Sequence, residues 1–444
     1  MGATRVRCWI VAVWLIGAFA PGFAPGFAPG LAAAQTAVPV RTVEPPSAVA
    51  REPLGLNLGV RELPDGRVLF SDAEHFRLLL FDSALATFTT LADTTGRAGF
   101  KFGFSEAQLI GYLGDSSLVV DYPSKVLLVL DPRGAIARTA ALPKASDMLR
   151  ITNARAMTDN RGRLIYRATY PIVRRAAPTA PGTYVTQDVD SAPLVRADFE
   201  TRQVDTIGRL KLPVLQKTER TVLADGSDRV RVIMNPLAWS DDWVVTADGS
   251  VAIVRGQDYH VDWVGGDGEK STSPKMPFDW LRIPDAEKQR LADSARDVAE
   301  QQLADAKERT AKAPPHPLPP GATRVGPPSM GMLNMMDGTF ANFRYDATFA
   351  TAPLNAILDY YPPIRAGALQ ADRDGNVWIL PATTAHATPG AVVYDVVNRK
   401  GELFERVQLP AGRSIAGFGR NGAIYMVSRD SAHVWHLERT RVKQ

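Results

Sequence analysis

Leu63-Pro-Asp-Gly-Arg-Val-Leu-Phe-Ser-Asp72, followed by Arg77-Leu-Leu-Leu-Phe-Asp82, is the stretch on which the fold turns. A polar Asp-Gly turn precedes an apolar run that ends at Asp; after a short polar turn comes a second apolar run. The phrase returns at Gly114–Asp121 with Val126–Asp131, at Asn160–Tyr166, at Ala247–Val254 with Tyr259–Trp263, at Asp374–Leu380 with Val392–Asp395, and at Asn421–Val427 with Val434–Leu437. Runs this short, continuously apolar and bounded by Gly and Asp, are expected as strands buried on both faces. A radial stack of small antiparallel sheets gives each sheet two neighbours and leaves only short, protected edges. The expected fold class is therefore all-β: a six-bladed β-propeller of four-stranded antiparallel blades, near 54–92, 104–143, 150–211, 222–278, 364–410 and 412–441.

The ends of the chain set its expected context. Arg5 and Arg7 precede an apolar run from Cys8 to Ala20, too short for a stable membrane anchor, and Ala32-Ala-Ala34 is a small-residue cleavage site. Residues 1–34 are thus expected as a signal peptide and 35–444 as a single exported β-propeller domain, periplasmic or extracellular. Cys8 is the only cysteine, so the mature chain would hold no disulfide, thiolate metal site or cysteine nucleophile. The formal net charge is +4 over 444 residues, two of the basic groups lying in the signal, which argues against a nucleic-acid partner and a polybasic membrane anchor. A soluble monomer without stable membrane insertion is expected. The last repeat has room for three strands, and Thr36–Val43 is expected to supply its fourth.

Two stretches break the repeat. Residues 168–193, with Pro171, Pro178, Pro181 and Pro193, are expected as a long surface loop. The larger break, about 279–362, is an insert. From Pro284 to Lys312 it turns rich in Ala, Glu, Asp, Lys, Gln and Arg, with Leu291, Ala295, Val298 and Leu303 at helical spacing. A helix is expected there, followed by an extended Pro-rich run through Pro328 and the Met330, Met332, Met335 and Met336 cluster. Thioethers suit Cu(I), but Met more often fills gaps over a core, so no metal or other cofactor is assigned.

No nucleophile, zincin or phosphate-loop motif stands out, and no catalytic residue is assigned. In a propeller the innermost strand of each blade borders a central channel, so side chains a few residues before each turn are the ligand-binding candidates: Arg61, Tyr112, Arg155, Trp239, Arg365 and Gln370. Three arginines and two aromatics suit an anionic or sugar-like ligand, held by bidentate hydrogen bonds and stacking. The same arginines also suit strand-end carbonyls around a wet channel. Ligand and protein partner are otherwise unspecified.

The repeats, in phrases such as Leu63–Asp72 and Asp372-Arg-Asp-Gly-Asn-Val-Trp378, resemble the six-bladed propeller superfamily that includes NHL-repeat proteins, and most of all its exported bacterial members of unassigned function. The resemblance covers about residues 50–440 and implies the fold more than an activity. Thr152–Asp159 and Asn235–Asp241 are also similar to the two Asn-bearing segments of gluconolactonase-like propellers. That likeness implies a metal-dependent hydrolase using the channel, its divalent cation held by Glu, Asn and Asp. Asn235 matches the Asn, but Asn57 and Gly367 stand where carboxylates are required, and Glu62 is out of register. A hard cation needs those carboxylates, so a binding or interaction module is the leading expectation and the hydrolase the alternative.

Overall fold

The computed structural model describes residues 38–55, 57–96, 108–121, 124–152, 155–168, 174–175, 182–187, 189–223, 228–312, 346–383, 392–431 and 434–443. The expected signal, the Pro-rich run and the methionine cluster lie outside them. The chain is mostly β, in four-stranded antiparallel sheets that follow one another along the sequence. The first runs through Asn57–Glu62, Val68–Asp72, Arg77–Phe81 and Phe88–Ala92. The second spans Leu109–Gly111 to Ile136–Ala140, the third Ala156–Thr158 to Val204–Lys211, and the fourth Asp242–Val245 to Lys270–Thr272. The fifth begins at Leu369–Ala371 and the sixth at Arg413–Phe418.

Continuously apolar strands are required because each sheet packs on both faces. Val68 and Phe70 enter a cluster shared with Tyr425 and Leu437 of the sixth sheet. Leu69, between them, enters another shared with Leu109, Val119 and Leu128 of the second. Side chains alternate across a strand, so one run serves two interfaces. The same pattern seats Tyr166 between the third and second sheets and Ile253 between the fourth and third. Each fully buried Leu, Val or Phe contributes about 1.5–3 kcal/mol. The turn that opens the phrase holds Gly66 at φ +83, where its N–H donates to Leu63 O at 3.0 Å; a side chain there would be strained.

The first strands of successive sheets touch one another around a common channel, and the first strand of the sixth touches that of the first, the arrangement of a β-propeller. Residues near the amino end complete two sheets. Ala48–Val49 adds the outermost strand of the sixth sheet, pairing antiparallel with Glu438 and Arg439. Val40–Thr42 runs parallel to Arg406–Gln408 as a fifth strand on the fifth sheet. The missing strand thus comes from slightly later than Thr36–Val43, because Val43 is used in an isolated bridge to Val442 as the chain crosses from one sheet edge to the next.

The described residues of the irregular stretches include strands. Arg174–Arg175 and Thr183–Gln187 are strands, and Ser191–Ala197 returns to the third sheet. Together with Gln216–Val222, Asp228–Met234 and Asp346–Thr351 the first two build a separate five-stranded sheet. The fourth propeller-type sheet therefore starts at Asp242 rather than near 222, the intervening strands having been captured by this extra sheet.

The helix Asp285–Lys312 lies against that sheet, touching Asp228–Met234 and Asp346–Thr351. Its buried positions are Lys288, Ala292, Ala299 and Leu303; of the expected stripe Leu303 is thus buried and Leu291 packs against the cluster around Ala292, whereas Val298 is 53% exposed. Lys288 takes one of the buried positions. Its stem is buried and its ammonium reaches Asp359 at 2.6 Å and the carbonyl of Ile357 at 3.3 Å. Ala292 packs in a cluster with Leu237, Ile283, Ala352, Ile357 and Tyr361, separate from the clusters between propeller sheets. Lys288→Ala is accordingly expected to leave those carbonyls short of a donor and to cost about 1–3 kcal/mol locally. Amide exchange should speed up in the helix and stay unchanged in the strands; equal acceleration in both would show that the helix belongs to the main core.

Candidate functional site

The inner strands are stitched by polar groups that reach from sheet to sheet. Thr158 Oγ1 donates to Gly111 O, joining the third sheet to the second. Arg155 donates to Trp243 O and lies 3.4 Å from both carboxylate oxygens of Asp242, joining the third to the fourth. Asp242 in turn accepts Leu369 N–H at 2.9 Å, and Gln370 Nε2 donates to Ile415 O at 2.7 Å. Burial pushes the Asp242 carboxyl up, Arg155 and the backbone donors opposing the shift.

Between these strands lies a cavity of about 950 Å³, lined among others by Arg61, Tyr112, Asp115, Arg155, Gln370 and Arg373. Four candidates from four strands or strand ends therefore meet in one space. Their roles differ. Arg155 and Gln370 are occupied by the stitching contacts, and Tyr112 sits edge-on to Phe199 with centroids 6.3 Å apart. Arg61 makes no hydrogen bond or ion pair from its side chain among the described residues, and its Nε is fully buried. Burial, then Arg373, and more weakly Arg420, push its guanidinium down to about 10, Asp115 pulling the other way.

Trp239 and Arg365 lie outside this lining. Trp239 packs edge-on to Trp280, centroids 6.0 Å apart, and Arg365 is exposed. Both precede their inner strands, Asp242–Val245 and Leu369–Ala371, whereas Arg61 and Gln370 lie within theirs.

Arg373 and Arg420, which sequence reasoning passed over, sit in the turns that follow the inner strands. Arg420 pairs with Asp115 at 2.9 Å, and Arg373 Nη2 is 3.5 Å from Glu62 O. The Glu62 carboxylate accepts from Tyr425 Oη at 3.0 Å and from Arg420 N–H at 3.2 Å. The available signal was positional: an arginine directly before Asp374-Gly375 and another before Asn421-Gly422.

The positions implied by the gluconolactonase-like segments do not assemble. Asn235 ends a strand region of the extra sheet, outside the cavity lining, and its Oδ1 accepts Leu237 N–H at 3.3 Å. Gly367 borders the cavity without a side chain. Among the described residues no group of three or more His, Cys, Asp or Glu stands close enough to hold a metal ion. His75 Nδ1 lies 2.9 Å from Asp72 and His436 Nε2 3.0 Å from Asp430, each a contact local in sequence. His316, His386 and His433 fall outside the described residues.

No family profile matches the chain, and no curated protein does. Among solved structures it is similar to a gluconolactonase from Xanthomonas campestris, with 8% identity, a TM-score of 0.38, and coverage of 89% of this chain and 98% of that one. Virginiamycin B lyase from Staphylococcus aureus gives 8% identity and a TM-score of 0.36 over 88% and 97% of the two chains. The calcium-binding protein regucalcin from Agrobacterium tumefaciens gives 11% and 0.31 over 91% and 96%. Superposition this loose carries no argument about activity.

Proposed function

We propose that this chain is an exported, monomeric six-bladed β-propeller of NHL-like type that works as a binding module, taking a small ligand into the channel between its inner strands. The observation that carries the reading is the convergence of Arg61, Tyr112, Arg155 and Gln370 on one cavity large enough for a small organic molecule. Polar stitching at Arg155, Asp242 and Gln370 holds the walls rigid, so little ordering is left to oppose binding.

A thermal-shift screen of the purified protein against sugars, lactones, small carboxylates and divalent metals tests it, since a ligand that binds only the folded state raises its melting temperature. Ala247 is exposed on the cavity rim, so Ala247→Trp narrows the entrance without disturbing packing. A hit whose shift shrinks at least several-fold in that variant is the expected result. Lactone hydrolysis that requires an added divalent metal and vanishes in Asn235→Ala would replace this reading with the hydrolase.

A further inference from the structure

Among the described residues, three guanidinium groups gather at one mouth of the channel near the carboxylate of Asp115. Arg61, Arg373 and Arg420 come from the first, fifth and sixth sheets or the turns after their inner strands, and Asp115 comes from the second. Asp115 is engaged by Arg420 at 2.9 Å. Glu62, the other nearby acid, is held by Tyr425 Oη and Arg420 N–H and is absent from the charges felt by Arg61. Among the described residues Arg61 is thus left without an ion-pair partner, beside two like charges, with Nε buried and the residue lining the cavity.

Such a group costs stability as it stands. A buried cation is tolerated when it is paired and hydrogen-bonded; here the surroundings supply more positive charge instead. Backbone geometry on the facing strand makes the space for it. A Cβ on Gly111 would come within 2.2 Å of Arg61 Nη1, so a glycine at that position is what lets the guanidinium occupy its place.

We infer that Arg61 is the anchor for an oxyanion, a carboxylate or phosphate group of the channel ligand, with Arg373 beside it at the mouth. This deepens the channel reading and rests on it. A guanidinium presents a planar fork of donors matched to two oxygens of such a group, and Arg61 has that fork unused. An arriving oxyanion supplies the missing charge and the missing acceptors together. Arg155, on the same cavity, is less suited, because Asp242 and Trp243 O already take its Nη1 donor.

The test uses inorganic phosphate and citrate, each compared with chloride at matched ionic strength, and follows the melting temperature of the full protein. Both oxyanions are expected to raise it. Arg61→Leu should lose the rise, weakening phosphate binding about tenfold or more, while melting without anion at or above the wild-type temperature because a desolvated unpaired charge is gone. Arg373→Gln, at an exposed side chain, should fold normally and weaken phosphate several-fold. The assignment is overturned by no rise with either oxyanion, by a rise that persists in Arg61→Leu, or by an Arg61→Leu protein less stable than wild type without anion. An unchanged phosphate response in Arg373→Gln also overturns it. A neutral ligand blocked by Ala247→Trp and indifferent to Arg61→Leu leaves the channel reading standing and removes only the oxyanion anchor.

Discussion

A chain lacking residues 38–50 is expected to aggregate, or to lose on the order of 3–6 kcal/mol of stability, relative to one beginning at Gln35. The deletion removes Ala48–Val49 from the sixth sheet and Val40–Thr42 from the fifth, with buried Val43 and Ala50. Backbone bonds from Glu44 to Arg441, Ser47 to Arg439 and Ala50 to Leu437 go with them. Glu438 and Arg439 then present an unpaired strand edge, a template for another chain. Denaturant melts and light scattering read the result; a truncated protein that melts like the longer one and stays monodisperse would show that the sixth sheet is stable with three strands.

Above pH 10 the protein should unfold over a narrow interval, with the buried tyrosines ionising only as structure is lost. Burial, aided by neighbouring carboxylates, pushes several phenols up. Tyr259 is fully enclosed and donates to Asp395 at 2.7 Å, its value raised well above 10.0 by burial and then by Asp395. Tyr166 beside Asp147 and Tyr425 beside Glu62 are raised in the same way, and Tyr394 by burial alone. A phenol that stays protonated in the fold while the unfolded chain ionises leaves the unfolded state with fewer bound protons. Its stabilising contribution is therefore complete below about pH 10 and falls as pH rises through the folded values. Tyr259 alone costs about 1.4 kcal/mol per pH unit in that window, and the others act in the same direction. Tyr259→Phe should soften the alkaline transition. Ionisation of all the tyrosines near pH 10 with the fold intact would contradict the enclosure of these rings.

Much of the sheet architecture was legible because its strands must be apolar along their whole length. Val68-Leu69-Phe70 supplies two interfaces at once, and no amphipathic strand can do that. The extra sheet was not legible for the opposite reason. Gln216–Val222 reads Gln-Lys-Thr-Glu-Arg-Thr-Val, whose polar side chains suit a half-solvated surface, and its neighbour Asp228–Met234 pairs with Asp346–Thr351 more than a hundred residues on. The helix was found by composition, and Leu303 of its buried face with it, but Lys288 was not, because a lysine reads as a surface residue although this one is 3% exposed. At the site, Arg61 and Gln370 were placed by their distance before a turn. Arg373 and Arg420 were missed because turn cations are ordinarily solvated, and nothing local marks two such turns as neighbours across a channel mouth.

The pairing of Ser47 with Arg439 spans 392 residues, which ties completion of the fold to the order of synthesis. Closing a loop of that length costs about 5 kcal/mol in chain entropy, so the early strand has no partner worth that cost until nearly everything between is already folded. Residues 40–49 must therefore wait, unpaired, while the sheets assemble from the amino end onward. The last event is a zipping of the two ends together, and the barrier to opening the ring should reside at the same seam. A chain stalled before residue 435 would hold its inner strands and much of its core, yet keep one open edge at which a binding chaperone, or a second stalled copy, can act.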